Sequence, residues 1–212
     1  RGPGSNTNVF AMESHTDILA HVAGMDPISF RMKNLTDDRM IRVLEAAAEK
    51  FGREISKGPS GSGYGISCTN YLNSYVATIA EVSVKRSSGQ VKVDRMVCAQ
   101  DMGEIINPQG AKLQIEGGIT MGLSAALSEE IKFTGGKIHS RNYNSYEITK
   151  FSKAPKVDIV LIDNPDLAPQ GCGEPAITTV GAAIANAIFD AVGARLYTLP
   201  MTPERILAAM DK

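Results

Sequence analysis

The chain has 212 residues, with 22 Lys and Arg against 23 Asp and Glu, a formal net charge of −1, 43% hydrophobic and 21% charged residues. That apolar fraction supports a sizeable core, in one large domain or two small ones. Balanced charge argues against nonspecific attraction to nucleic acid or an anionic membrane, and no run of 18 uninterrupted apolar residues predicts a membrane span.

Arg1–Asn8 is a glycine-, proline- and amide-rich loop. Val9 to Gly24 has a helical pattern, with Ala11, His15, Ile18, Leu19 and Val22 on one face and Gly24 at the C-terminal stop. Asp26-Pro27 offers a cap and a first-turn proline for a short turn through Phe30. A second helix is predicted over Asp38–Phe51. Lys57–Gly65 (KGPSGSGYG) reads as an internal linker, which divides the chain into 1–58, a loop and helical segment, and 59–212, an α+β segment.

Beyond that point the pattern changes to period two. Val76–Lys85 and Val91–Ala99 read as strands joined by a hairpin at Ser87–Gln90, the first beginning as early as Ser67. Asn107-Pro108 opens a helix to about Leu127. Leu127–Phe133, followed by a Gly135-Gly136 turn, and Val157–Ile162 read as further strands. Pro175–Val192 and Pro203–Met210 are the last helices. Strands and helices interleave without a βαβ rhythm, so the fold class is α+β.

Cys68, Cys98 and Cys172 lie far apart, as do His15, His21 and His139, and there is no Cys-x-x-Cys pair. Neither a disulfide framework nor a protein-ligated metal is expected, so any metal arrives inside a cofactor. Cys98 reads as core and His15 as a half-buried structural residue. The chain starts at Arg1 without an initiator Met, which reads as a fragment and leaves cytoplasm and periplasm both open.

The most informative stretch is Gln170–Ala176 (QGCGEPA). Gly171 and Gly173 permit close approach of backbone to a ligand, and Pro175 fixes the first helical residue, which puts Glu174 at or beside the N-cap. There the helix end favours the carboxylate and desolvation favours the acid, a combination suited to a general base near neutral pH. The competing reading is that Glu174 caps its helix. In Asp101–Glu130, a helix from Pro108 would align Gly110, Gln114, Gly117, Gly118, Met121, Gly122 and Ala125 as a stripe of little bulk. Each helical glycine costs about 1 kcal/mol relative to alanine, so either a cofactor or another backbone approaches closely. Arg1-Gly2-Pro3-Gly4 supplies a cation and a flexible backbone.

Together these segments resemble the molybdenum-binding subunit of the xanthine dehydrogenase / aldehyde oxidase family of molybdenum hydroxylases. RGPG…FAMES..DILA…GMDPISFRMKN is similar to the family's Arg-Gly loop, helix and Asp-Pro-x-x-x-Arg-x-x-Asn element. DMGEIINP…LQIEGGITMGL matches its Asp-x-Gly-x-x-x-Asn-Pro and Gln-x-Glu-Gly elements, and GCGEPA…AIANAIFDAVGARLYTLPMTPERI its closing block. GYGISCTNYL leads directly into the Val76–Ala99 hairpin, without the intervening Met-Gly-Gln-Gly segment of xanthine-oxidising members. The chain therefore resembles the C-terminal part of an isoquinoline 1-oxidoreductase-type β subunit.

The resemblance implies an oxidoreductase that hydroxylates an aldehyde or N-heterocycle carbon with water-derived oxygen. Its cofactor would be molybdenum held by molybdopterin, in the cytosine dinucleotide form. Glu174 is implied as the catalytic base, and Arg1, Gly2, Gln114, Cys172 and Gly173 as cofactor contacts. Pro3 and Cys68 occupy positions where purine-oxidising members carry phenylalanines, which argues against xanthine because the stacking faces are lost. Thr69 keeps a hydroxyl at a substrate-facing position. Implied partners are the upstream portion or companion chain of the molybdopterin subunit, an iron–sulfur subunit carrying the clusters, and in some members a flavin subunit. Two other expectations stand beside this one: a noncatalytic structural or assembly fragment, and a cofactor-independent binding domain whose glycine stripe only packs helices.

Overall fold

The computed structural model describes residues 1–52 and 61–210. Its frame is a four-stranded sheet of β1 (Ser62–Tyr71), β2 (Ser74–Lys85), β3 (Gln90–Asp101) and β6 (Lys156–Ile162), in that spatial order. The first three strands form an antiparallel meander, and β6 joins β3 in parallel. The connection from β3 to β6 carries α4 (Pro108–Leu127) and a small exposed hairpin, β4 (Phe133–Thr134) with β5 (Lys137–Ile138). One parallel crossover therefore exists inside the expected α+β fold, masked in the sequence by its length.

Helix α5 (Pro175–Val192) lies across one face of β1 and β2, flanked by α1 (Ser5–Val22) and α4. The opposite face is covered by α3 (Asp38–Phe51), whose Met40, Val43, Leu44, Ala47 and Phe51 share a buried cluster with Tyr64, Ile66, Cys68, Ile79 and Val97. From the first part of the chain, α3 closes one face of the sheet, and Phe10 of α1 joins the core on the other. The proposed 58/59 boundary lies outside the described residues. Helix α5 is long and apolar enough to cross a membrane by length and composition, unlike the sequence expectation, but most of it is buried inside this molecule. A helix apolar on all sides is what a position between a sheet and two other helices demands.

The predicted linker meets a different fate. Residues 53–60 lie outside the described set, but Ser62–Gly65 are the start of β1. A Cβ on Gly63 would lie 2.4 Å from the Ala191 backbone nitrogen, and one on Gly65 2.2 Å from that of Ala187. These glycines let helix backbone settle on strand backbone, a use of strand glycine that imitates linker composition. The Ser67–Lys85 region is two strands. They meet at a two-residue turn, where Leu72 and Asn73 have φ of 50° and 63°. Hairpin turns of this hand need positive φ, and leucine gives no warning of it.

Other boundaries need less correction. Helix α1 begins four residues earlier than predicted, at Ser5 after Gly4, whose φ is 76°. Helix α2 (Pro27–Asn34) has the expected Asp26 cap, which accepts from Ser29 N at 2.8 Å, but runs past Phe30. It continues because Arg31 is anchored: its Nε donates to Glu13 Oε2 at 3.0 Å, and Nη2 to the Glu13 carbonyl at 3.1 Å. Helices α3, α4, α5 and α6 (Pro203–Met210) match the predicted spans. The expected strand at Leu127–Phe133 is absent. Only Phe133–Thr134 pairs there, and both residues are exposed, so alternation had no face to bury.

Candidate active site

Parity along β1 decides what faces what. Gly63 and Gly65 touch α5, so Ser67, Thr69 and Tyr71 share that face, whereas Tyr64, Ile66 and Cys68 point to α3. The contacts of Gly65 with Ala187 and Ala183, and of Gly63 with Ala191 and Ala187, make β1 and α5 antiparallel. From Gly63 to Tyr71 the strand advances about 26 Å. From Ala191 back to Pro175 the helix covers about 24 Å. The register therefore delivers Tyr71 to the N-terminus of α5, where Glu174 stands.

Glu174 occupies the N-cap position, but its side chain makes no capping bond to its own helix. Instead Oε2 accepts from the Tyr71 hydroxyl at 2.7 Å and Oε1 from the Gly2 backbone N–H at 3.2 Å. The Tyr71 bond is the main cause holding the Glu174 carboxyl below the usual glutamate range, followed by the Gly2 N–H. In return Glu174 pushes the Tyr71 phenol up. The sequence anticipated a near-neutral base from a buried helix end. The helix end is buried at Pro175, yet Glu174 is only half-buried, so desolvation is the weaker influence and the donors win.

The loop carrying Glu174 is clamped from beneath. Gln170 N donates to Met102 O at 2.7 Å, Ser74 Oγ to Gly171 O at 2.7 Å, and Gln100 Nε2 to Cys172 O at 3.5 Å. Gln100 is fully buried, and its Oε1 has no partner. The Asp-x-Gly element serves the same clamp. Burial opposes the charge on Asp101, but a bidentate pair with Arg39 (2.9 and 2.7 Å) and the Gly103 N–H bring its carboxyl below the usual range. Asn164 also donates to Asp101. Gly103, at φ 76°, leaves a Cβ position only 2.4 Å from the Ala168 carbonyl.

Helix α4 runs parallel to α5, because Gly118 faces Ile177 and Gly122 faces Val180. One turn before Gly118, Gln114 comes level with the loop, where its Oε1 lies 3.3 Å from the Cβ position of Gly173. Arg1 Nη1 donates to the Gln114 carbonyl at 3.2 Å and lies 3.4 Å from the Cβ position of Gly117. The glycine stripe is thus resolved residue by residue: Gly118 and Gly122 admit α5, Gly117 admits the Arg1 guanidinium, and Gly110 meets its own cap, Asn107.

Of the residues singled out in the sequence, Arg1, Gly2, Gln114, Gly173 and Glu174 form one connected cluster, with Cys172 in the clamped loop and exposed Pro3 beside Gly2. Thr69 lies on the same face of β1 as Tyr71. Cys68 does not join them. It is buried on the other face, where its N–H donates to Glu13 Oε2 at 2.8 Å and burial pushes its thiol well up. Its side chain points to the face opposite that of Thr69, as adjacent strand residues do. Tyr71, Ser74 and Gln100 were missed. Parity with Thr69 could have flagged Tyr71, but only with β1 ending at Tyr71 instead of running on. Among the described residues, no group of three or more His, Cys, Asp or Glu is arranged to hold a metal ion.

The glycine-walled surface fits an anionic, heterocyclic cofactor better than a bare ion. Arg1 and Gln114 supply a cation and an amide, a Cβ at Gly171 would meet nothing within 4 Å, and Gln100 leaves a buried acceptor unpaired under the loop.

Comparison with known proteins gives the family of the chain. The sequence profile of the molybdopterin cofactor-binding domain matches residues 12–155. The chain is 36% identical to the B subunit of nicotinate dehydrogenase from Pseudomonas putida, over 99% of its own length and 19% of that protein's. It is 34% identical to the β subunit of isoquinoline 1-oxidoreductase from Brevundimonas diminuta, over 96% of its length and 26% of that protein's. The fold is shared with the aldehyde oxidoreductase of Desulfovibrio gigas, at a TM-score of 0.81 and 20% identity, covering 100% of this chain and 41% of that one. The chain spans only about a fifth to a quarter of the two sequence relatives, and it belongs to the molybdopterin cofactor-binding family, as part of a molybdenum-binding subunit of the xanthine dehydrogenase / aldehyde oxidase type.

Proposed function

We propose that this chain contributes the general base and one wall of the cofactor site in a molybdenum hydroxylase acting on an aldehyde or N-heterocycle. The observation that supports this most directly is a glutamate at a helix N-cap that does not cap its helix, held outward by donors from two other segments. The cofactor, when bound, supplies the two-electron redox centre at which water-derived oxygen is delivered to the substrate carbon. Arg1, the Gly2 backbone, Gln114, Cys172 and Gly173 would hold it. The cofactor is proposed to be molybdenum held by molybdopterin in its cytosine dinucleotide form. Thr69 and Pro3 line the substrate side, and electrons leave to an iron–sulfur partner.

Within this chain the chemistry is a proton transfer at one carboxylate. Each Glu174 oxygen already accepts one hydrogen bond and keeps lone-pair capacity for another donor. The lowered pKa keeps Glu174 ionised at neutral pH and ready to accept a proton. Base competence is present above that depressed pKa and lost as pH falls through it. The acidic limb of kcat/KM for the complete enzyme accordingly lies below the ordinary glutamate range. In the complete assembly, Glu174→Gln should lower turnover about 10²–10⁴-fold, with molybdenum content near that of the parent. Retained turnover at normal molybdenum content removes Glu174 from the reaction.

A further inference from the structure

Two donors fix the orientation of Glu174, and only one is a side chain. The Gly2 N–H comes from the loop before α1, which also places the Arg1 guanidinium nearby. The Tyr71 hydroxyl comes from the last residue of β1, across the sheet–helix interface, at 2.7 Å. Other hydroxyls on this side of the sheet do not bond Glu174: Ser74 Oγ holds Gly171 O, Thr78 bonds Thr179, Thr69 Oγ1 donates to Asn70 O, and Ser67 Oγ has no partner. Tyr71 alone among them reaches the carboxylate. Its own position is over-determined by the ten-residue pairing of β1 with β2 and by the tight turn that follows it.

From this geometry we infer that Tyr71 is the positioning residue for Glu174: its hydroxyl turns the carboxylate away from its own helix and sets the direction in which the free lone pairs point. The inference rests on Glu174 being the base. A carboxylate held by one donor rotates about its terminal torsion, whereas donors on separate oxygens fix its plane. The electrostatics act in the same direction. Against a small opposing effect of burial, the charged form of Glu174 is favoured by Tyr71 from β1, by Gly2 and Arg1 from the loop, and by the N-terminal end of α5 behind it. Losing the largest of these contributions weakens that preference without adding an opposite charge.

The test is Tyr71→Phe in the complete holoenzyme and in the same complete assembly prepared without cofactor. The ring is retained, so thermal unfolding and molybdenum content stay at the parent values. In the holoenzyme kcat falls about 10-fold with KM little changed, and the acidic limb of kcat/KM moves to higher pH. In the cofactor-free assembly, the infrared carboxylate band that disappears in Glu174→Gln titrates at higher pH in Tyr71→Phe. Tyr75→Phe, on β2, removes a hydroxyl that serves Asp37 instead, and leaves that midpoint where it was. An unchanged infrared midpoint together with an unchanged acidic limb overturns the role of Tyr71. If Glu174→Gln keeps its turnover, the base assignment falls instead, and the infrared midpoint still decides whether Tyr71 orients the carboxylate.

Discussion

Two glutamates, Glu13 and Glu174, show how the same side chain is used for opposite ends. Glu13, on α1, is buried. Its Oε2 accepts from Arg31 Nε and Cys68 N–H, and its carbonyl accepts from Arg31 and Asn186. Arg31 also reaches the carbonyls of Pro27 and Ile66, so one ion pair ties α1, α2 and β1 together, with α5 joined through Asn186. Glu174 likewise has a backbone N–H and a side-chain donor, but it stands at a half-open surface with unused acceptor capacity. Enclosure is what separates a fastening from a reagent. A carboxylate enclosed in the interior against a buried cation fixes the fold, and one pinned but open can exchange a proton.

Substitution at the buried node should have the largest effect on folding. Glu13→Gln leaves Arg31, whose side chain is 2% exposed, as an unpaired buried cation. Breaking such a pair costs about 3–5 kcal/mol, so the complete subunit should unfold at clearly lower denaturant. The same exchange at Glu174 should leave the unfolding midpoint where it is while removing turnover. Equal unfolding midpoints for the two variants would erase the distinction.

Gly65→Ala follows in size. The new methyl would meet the Ala187 nitrogen at 2.2 Å and the Ala183 carbonyl at 2.3 Å. Both are helix backbone and cannot rotate aside, so α5 must lift from β1. Overpacking of this kind costs about 1–3 kcal/mol. It also shifts the helix end that carries Glu174, so thermal stability and turnover should fall together. A variant with parent stability would show that α5 does not rest on Gly65.

Much of this was legible in the residues, for identifiable reasons. Pro108 and Pro175 at the first helical position placed the starts of α4 and α5, and Gly52 the stop of α3, because those signals are local. Glu174 stood out for the same reason, between a glycine turn and Pro175. What stayed hidden depends on contacts distant in sequence. Gly63 and Gly65 resemble linker glycines until a helix is known to lie on them. Tyr71 gains meaning only from the antiparallel register of β1 with α5, and the separation of Cys68 from Thr69 shows only when strand parity is fixed. Gly118 and Gly122 could not be told from ligand-facing glycines without knowing that α4 and α5 run parallel.

The smallest expected effect on folding comes from Gly173→Ala, which sets the site against the sheet–helix contact with one methyl group in each. Here the added carbon would approach only Gln114 Oε1, at 3.3 Å. That oxygen ends a flexible, exposed side chain that can yield by a few tenths of an ångström, so the thermal midpoint should stay near the parent's. The amide would swing out of the gap between α4 and the Glu174 loop, where the proposed cofactor contacts converge. Molybdenum and pterin content of the assembled enzyme should therefore drop while folding is preserved, the reverse of the Gly65→Ala pattern. Full cofactor content in Gly173→Ala would show that the gap between Gln114 and Gly173 is not on the cofactor surface, and would move the predicted contact elsewhere on α4.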